Sequence, residues 1–272
     1  MANLAHRLRE LWDYRDLILN LVIRDLKVRY KNSVLGVAWS WINPLMMMVV
    51  YTIVFRLMAG DSALANYPVF ILCGLLPWNF FASSVSQATE SIVAAAPLIK
   101  KVYFPRETLP IAIVLSNLVN FVIALPILFL LILAMGHPIT PCVLLLPLVI
   151  TAQVLLIIGV TLIASTLNVF YRDTRHILDA LLLAWFFVTP ILYPITTVGE
   201  KATVLGMTVN PQVWLRRLNP MASIIASYRD LLYWGTPTGL DFSLRTAVTS
   251  LLILIVGYFV FVHYCSRFGE EV

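Results

Sequence analysis

Side chains able to do acid, base, nucleophilic or metal chemistry are few in this sequence and far apart. Glu90 and Asp179 each stand alone at the edge of a long uncharged stretch. His137 and His263 are isolated as well, which suits rings at a membrane boundary better than a paired acid and base. Cys73, Cys142 and Cys265 lie far from one another in or near apolar sequence and fit small packing residues, not a disulfide framework or a metal site. No G-x-x-x-x-G-K-[ST], H-E-x-x-H, C-x-x-C or G-x-S-x-G occurs. The expectation is therefore a chain with no catalytic cluster, no metal, no cofactor of its own and no P-loop nucleotide site.

Binding chemistry is what remains. Aromatic residues concentrate in three stretches, with Trp39, Trp41, Tyr51 and Phe55 in the first and Trp78, Phe80 and Phe81 in the second. Trp185, Phe186, Phe187 and Tyr193 form the third. Tyr51 and Phe55 sit one helical turn apart on one face. One reading makes all these rings interfacial belts and ordinary packing. The other makes Trp39, Tyr51, Phe55, Trp78, Phe81, Trp185, Phe186 and Tyr193 the lining of a path for sugars, whose apolar C–H faces pack on aromatic rings. Such a path holds its cargo by weak, repeated sites, as passage requires.

A second binding feature is the segment between Pro97 and Pro110. Leu98, Ile99, Val102, Tyr103 and Phe104 supply apolar anchors, while Lys100, Lys101, Arg106 and Glu107 supply charge around Pro105. Anchors ringed by charge suit docking to a soluble partner. A basic turn that merely obeys the positive-inside rule would read the same way.

The elements that must position these groups are set by where charge is missing. Of 272 residues, 60% are hydrophobic and 12% charged, against about 25% charged in soluble domains, and mean hydropathy is +0.88. No Asp, Glu, Lys or Arg occurs in 32–55, 62–89, 108–171, 180–199 or 246–266. A span needs about 20 apolar residues. The long window holds two spans, divided at Gly136-His137-Pro138-Ile139-Thr140-Pro141. The expectation is one all-α transmembrane domain with six spans at 34–55, 67–88, 111–135, 143–170, 178–194 and 246–264.

With the N-terminus inside, 13 of the 19 Lys and Arg fall on the cytoplasmic side, which places both termini in the cytoplasm. The net charge of +5 and pI near 9.2 thus serve orientation and do not imply nucleic acid. Five basic residues between the last two spans, Lys201, Arg216, Arg217, Arg229 and Arg245, are a local exception.

Residues 1–31 read as an amphipathic cytoplasmic interface helix. Leu4, Leu8, Leu11, Ile18 and Val22 lie opposite Arg7, Arg9, Arg15, Arg24 and Lys27, and the mixed charge argues against a cleavable signal. Pro190 and Pro194 interrupt the fifth span. The apolar stretch 195–235 reads either as helices re-entering the outer leaflet, shielded by protein, or as a small folded cap.

Arg29-Tyr30-Lys31-Asn-Ser33-Val-Leu35-Gly36-Val-Ala-Trp39, together with Pro44, resembles the approach to the first span of ABC type-2 polysaccharide exporter permeases, the O-antigen, capsule and teichoic acid family. Leu98-Ile-Lys-Lys-Val-Tyr-Phe-Pro-Arg-Glu107 is similar to that family's coupling segment, and Leu167-Asn-Val-Phe-Tyr-Arg-Asp173 to its turn after span 4. Thr189-Pro-Ile-Leu-Tyr193 resembles the outer part of span 5, and Leu218-Asn-Pro-Met221 the segment after that span. The resemblance runs in order over nearly the whole chain.

It implies a half-transporter in the bacterial inner membrane, working as a homodimer with two copies of a separate ATPase that binds ATP and Mg. The cargo would be a lipid-linked polysaccharide. Residues 98–107 would dock into the ATPase, and the N-terminal helix would border a lateral portal for the lipid. Arg24, Arg29 and Lys31 would meet the carrier phosphate there, or else anchor to membrane lipid headgroups. The outer basic residues would sit at the exit. The chain departs from the family pattern around Glu200–Gln212, where it is longer. Two rivals remain, a membrane enzyme of lipid-linked glycan assembly, which needs an acidic or metal-binding cluster absent here, and a type-2 permease for drugs or small lipids.

Overall fold

A computed structural model describes residues 4–31, 33, 35–59, 64, 66–199, 202–204 and 207–272. The side chains of Leu4, Arg7 and Leu8, the expected span start at Val34, and Asp61, Glu200 and Lys201 lie outside the described residues.

In lipid, each backbone N–H and C=O must be satisfied within its own segment, so uncharged apolar sequence becomes helix. The N-terminal region forms α1 (Leu4–Asp13) and α2 (Arg15–Tyr30), and a 3-10 turn at Gly36–Ala38 leads into α3 (Trp39–Ala59). Next come α4 (Tyr67–Thr89) and two single-turn helices, α5 (Ser91–Ala94) and α6 (Ala96–Ile99). The pair α7 (Thr108–Ala134) and α8 (Leu146–Phe170) is followed by α9 (Thr174–Val188). The outer segment holds α10 (Pro211–Leu218), α11 (Pro220–Arg229) and a π-helical turn at Asp230–Trp234. The chain ends with α12 (Leu240–Cys265) and α13 (Phe268–Glu271).

Among the described residues five stretches are long and apolar enough to cross a bilayer: Gly36–Leu57, Tyr67–Thr89, Thr108–Ala134, Pro141–Phe170 and Leu240–Cys265. The element at the expected 178–194 span differs. Helix α9 has 15 residues, about 22 Å at 1.5 Å per residue, short of a hydrocarbon core of about 30 Å. It stops where it does because Thr189 precedes Pro190. The proline ring disfavours helical backbone one residue earlier, and Thr189 is extended (φ −80°, ψ 131°).

The outer segment also departs from a purely helical reading. Ala202–Val204 and Met207–Val209 pair antiparallel as β1 and β2, with Thr203 opposite Thr208. This small hairpin lies where the chain is longer than the resemblance leads one to expect, and its Thr and Val residues suit strand.

Helix α4 is the axis of the molecule. It is largely buried and packs against α3, α7, α8, α9 and α11. Helices α8 and α12 make the closest helix pair. A Cβ on Gly159 would lie 2.7 Å from the Ile253 carbonyl, and one on Gly257 would meet the Gly159 carbonyl. Only glycine lets two backbones approach so closely in lipid, where van der Waals packing drives association. A second core, near the N- and C-terminal helices, joins Leu21 and Val22 of α2 to Ile92, Phe104, Phe261 and Phe268. The helix expected to lie on the membrane surface is therefore clamped to the spans along α2, mainly by α7.

Candidate functional site

The connection from α6 to α7 is short and bounded by prolines, and residues 102–105 form neither helix nor strand. Tyr103 is 83% exposed and Val102 also faces out, whereas Phe104 is 6% exposed and belongs to the second core. Ile99 and Glu107 are buried, Lys100 and Lys101 are exposed, and Leu98, Pro105 and Arg106 are half-buried. Arg106 donates to the carbonyl of Cys265, tying the segment to the end of α12. The ten residues singled out in the sequence thus divide into an anchoring set and an outward-facing set. Tyr103, Val102 and the two lysines form the surface available to a partner.

The rings expected along a path come together in part. Trp78, Phe81, Trp185 and Phe186 form one cluster, with centroids 5.1 Å apart for Phe81 and Trp185 and 5.6 Å for Trp78 and Phe186. Tyr51 reaches Phe186 at 6.1 Å, and Phe55 stacks on Tyr67 at 4.1 Å. Within one subunit Trp78, Phe81 and Phe186 are interior groups that join α4 to α9, while Tyr51, Phe55 and Trp185 are half-buried at its edge. Tyr193 stands apart, its hydroxyl donating to the Phe187 carbonyl, and Trp39 is exposed near the start of α3.

The three cations on the N-terminal helix also separate. Arg29 donates to Asn117 Oδ1 at 2.9 Å, Asp25 Oδ2 at 3.0 Å and Gln87 Oε1 at 2.8 Å. It is the pin holding α2 to α4 and α7, and the Ser116 hydroxyl donates to the same Asp25 oxygen. Arg24 and Lys31 are exposed and, with Lys27, border a shallow groove along α2.

Sequence reasoning missed the outer hairpin's polar skeleton. Asn219, at the tip between α10 and α11, caps α11 by accepting from Ala222 N at 3.2 Å. The same oxygen accepts from Trp185 Nε1 at 2.9 Å, and its amide donates to Thr189 Oγ1 at 2.9 Å. Trp185 lies in the last turn of α9 and Thr189 just after it, so the tip packs against the end of that helix. Tyr228 of α11 donates to Gln153 Oε1, and Gln153 Nε2 donates to the Pro77 carbonyl, both at 2.7 Å.

Arg229 completes this skeleton. It is 6% exposed, donates to the carbonyls of Phe70, Pro190 and Ile191, and lies 3.6 Å over the Phe70 ring. Those of Pro190 and Ile191 are backbone acceptors freed by the break after α9. By sequence Arg229 is one of five outer cations without a local explanation, and its position at the end of a short apolar helix is the available signal. Beside it, burial raises the Asp230 carboxyl above its ordinary value, and Arg216 opposes that shift.

Long neutral helices packed around an interior helix define a multi-pass membrane protein. A profile of the ABC-2 type transporter family matches residues 16–233, and the chain belongs to that family. It is 35% identical over 264 residues to an O-antigen export system permease protein of Myxococcus xanthus, covering 97% of this chain and 98% of the relative. A protein of the same description from Klebsiella pneumoniae is 35% identical over 94% of each chain. A polysialic acid transport protein of Escherichia coli is 24% identical over 79% of this chain and 80% of its own length.

Proposed function

We propose that this chain is the membrane subunit of an exporter that moves a lipid-linked polysaccharide from the cytoplasm across the inner membrane. The observation that carries the reading is near end-to-end similarity to permeases of O-antigen export. The energy comes from a separate ATPase subunit, two copies of which bind ATP and Mg and dock on Val102, Tyr103, Lys100 and Lys101. Closure of the ATPase pair moves that segment. Because Phe104, Arg106 and Ile99 root it in the second core, the motion passes to α7, α8 and α12.

Two copies of the chain form the channel. The apolar outer faces of α3 and α9, with Val50, Ile53, Leu181 and Phe187 exposed, support that pairing, because a path shared between copies would run beside the half-buried Tyr51, Phe55 and Trp185. Arg24 and Lys31 meet the carrier phosphate at the lateral portal, and Arg29 holds the helix that presents them. Both termini face the cytoplasm. Deleting the gene should leave surface polysaccharide absent and lipid-linked polymer accumulating inside the cell. Normal surface polysaccharide in the deletion strain refutes the reading.

A further inference from the structure

A cavity of about 260 Å³ lies inside the single subunit where α2, α3, α4 and α7 meet. Its wall is rich in neutral hydrogen-bonding groups, Asn43, Asn79, Ser83, Asn117 and Asn120. Among the described residues Asn43, Asn79 and Ser83 make no side-chain hydrogen bond, and the Asn120 amide nitrogen is buried without a partner. A buried amide nitrogen such as that of Asn120 is costly unless something pairs with it. Trp39 and Phe80 line the same space. Convergent amides with aromatic faces are the chemistry of a site for a neutral, hydroxylated ring.

The pocket is poorly suited to an anion. Arg29 borders it, yet its guanidinium is spoken for by Asn117, Gln87 and the Asp25 carboxylate, which neutralises it. Arg24, Lys27 and Lys31, which form no ion pair among the described residues, line the shallow groove along α2, and Tyr30 belongs to both walls. A cationic groove therefore adjoins a neutral pocket through one residue. At about 260 Å³ the pocket, which opens at the exposed Trp39 and Asn43, has room for one ring.

Resting on the exporter reading above, we propose that this pocket binds the sugar ring adjoining the lipid carrier's phosphate, with the phosphate held on the Arg24–Lys27–Lys31 groove. The permease would then recognise the first sugar of its cargo by hydrogen bonds within each subunit, separately from the shared path for the polymer.

The test uses the permease–ATPase complex in lipid nanodiscs. The probes are a polyprenyl diphosphate carrying one N-acetylhexosamine and the bare polyprenyl diphosphate. Wild type should hold the sugar-bearing lipid more tightly. Asn79→Leu, and separately Asn43→Ala at the exposed rim, should weaken the sugar-bearing lipid about tenfold, as loss of one or two hydrogen bonds implies. Neither should change the bare lipid. Lys27→Gln with Lys31→Gln should weaken both lipids. Equal wild-type affinity for the two lipids, or no effect of either asparagine variant, means a hydrated pocket only and overturns the proposal. Equal weakening of both lipids by Asn43→Ala overturns the assignment to sugar. If wild type binds neither lipid and deletion leaves export normal, the exporter reading itself fails. Normal dependence of export on the chain with no sugar preference sinks the pocket alone.

Discussion

Replacing Arg229 by Met should loosen the outer hairpin while sparing the spans. Met keeps most of the packing volume but none of the donors. The substitution leaves the carbonyls of Pro190 and Ile191 without a partner in a buried setting. Each orphaned acceptor costs about 1–3 kcal/mol, and the lost contact with the Phe70 ring adds about 0.5–2 kcal/mol. Against this, a buried charge is removed, which returns a few kcal/mol of desolvation. The balance is a loss of roughly 2–3 kcal/mol, confined to the contact of α11 with α4 and the turn after α9.

Cys73 is the reporter, being fully buried on α4 one residue from Gly74, whose Cβ position faces the Arg229 guanidinium at 3.1 Å. With Cys142 and Cys265 changed to Ser, maleimide labelling of Cys73 reads local opening. In Arg229→Met it should run roughly 30- to 150-fold faster than in the parent, the equivalent of that free energy when opening precedes labelling. Arg229→Lys, which restores one donor group, should fall between. Unchanged labelling and unchanged thermal stability in Arg229→Met would refute the assignment of Arg229 as the pin of the hairpin.

Adjacent coupling residues should behave differently. Tyr103→Ala should leave the membrane subunit folded and reduce co-purification of the ATPase, whereas Phe104→Ala should cost about 3–5 kcal/mol of core packing and lower thermal stability directly. Gly257→Val should force α8 and α12 apart and abolish a folded, monodisperse protein in detergent, while Gly239→Ala, which meets open space, should be neutral by the same chromatography. Asn219→Ala removes a cap and two side-chain bonds at the hairpin tip, and should lower the melting temperature more than Asn210→Ala at the exposed start of α10.

The long apolar helices were legible in the sequence because lipid excludes charge so strongly. The uncharged windows place α4 within a residue of its expected ends, and α7 appears at Thr108–Ala134 for an expected 111–135. The two prolines flagged the broken span, although only the turn geometry shows that Pro190 ends it early. Which way a ring faces was not legible. Tyr103 and Phe104 have similar chemistry and adjacent numbers, yet Phe104 packs among residues of other helices while Tyr103 is exposed, which no local pattern announces. The partners of Arg29, Asn117 and Gln87, lie on other helices, so its commitment to the fold cannot be read from a local pattern. Arg229 is the same case, since its acceptors are backbone carbonyls, which no sequence position advertises.

Transport itself tests the central claim most directly. Inverted membrane vesicles carrying this chain and its Walker-motif ATPase should take up lipid-linked polysaccharide into the lumen only when ATP is supplied and both subunits are present. Vesicles with Tyr103→Ala should retain the chain yet lose uptake. Uptake that proceeds equally without ATP, or without this chain, would contradict the account.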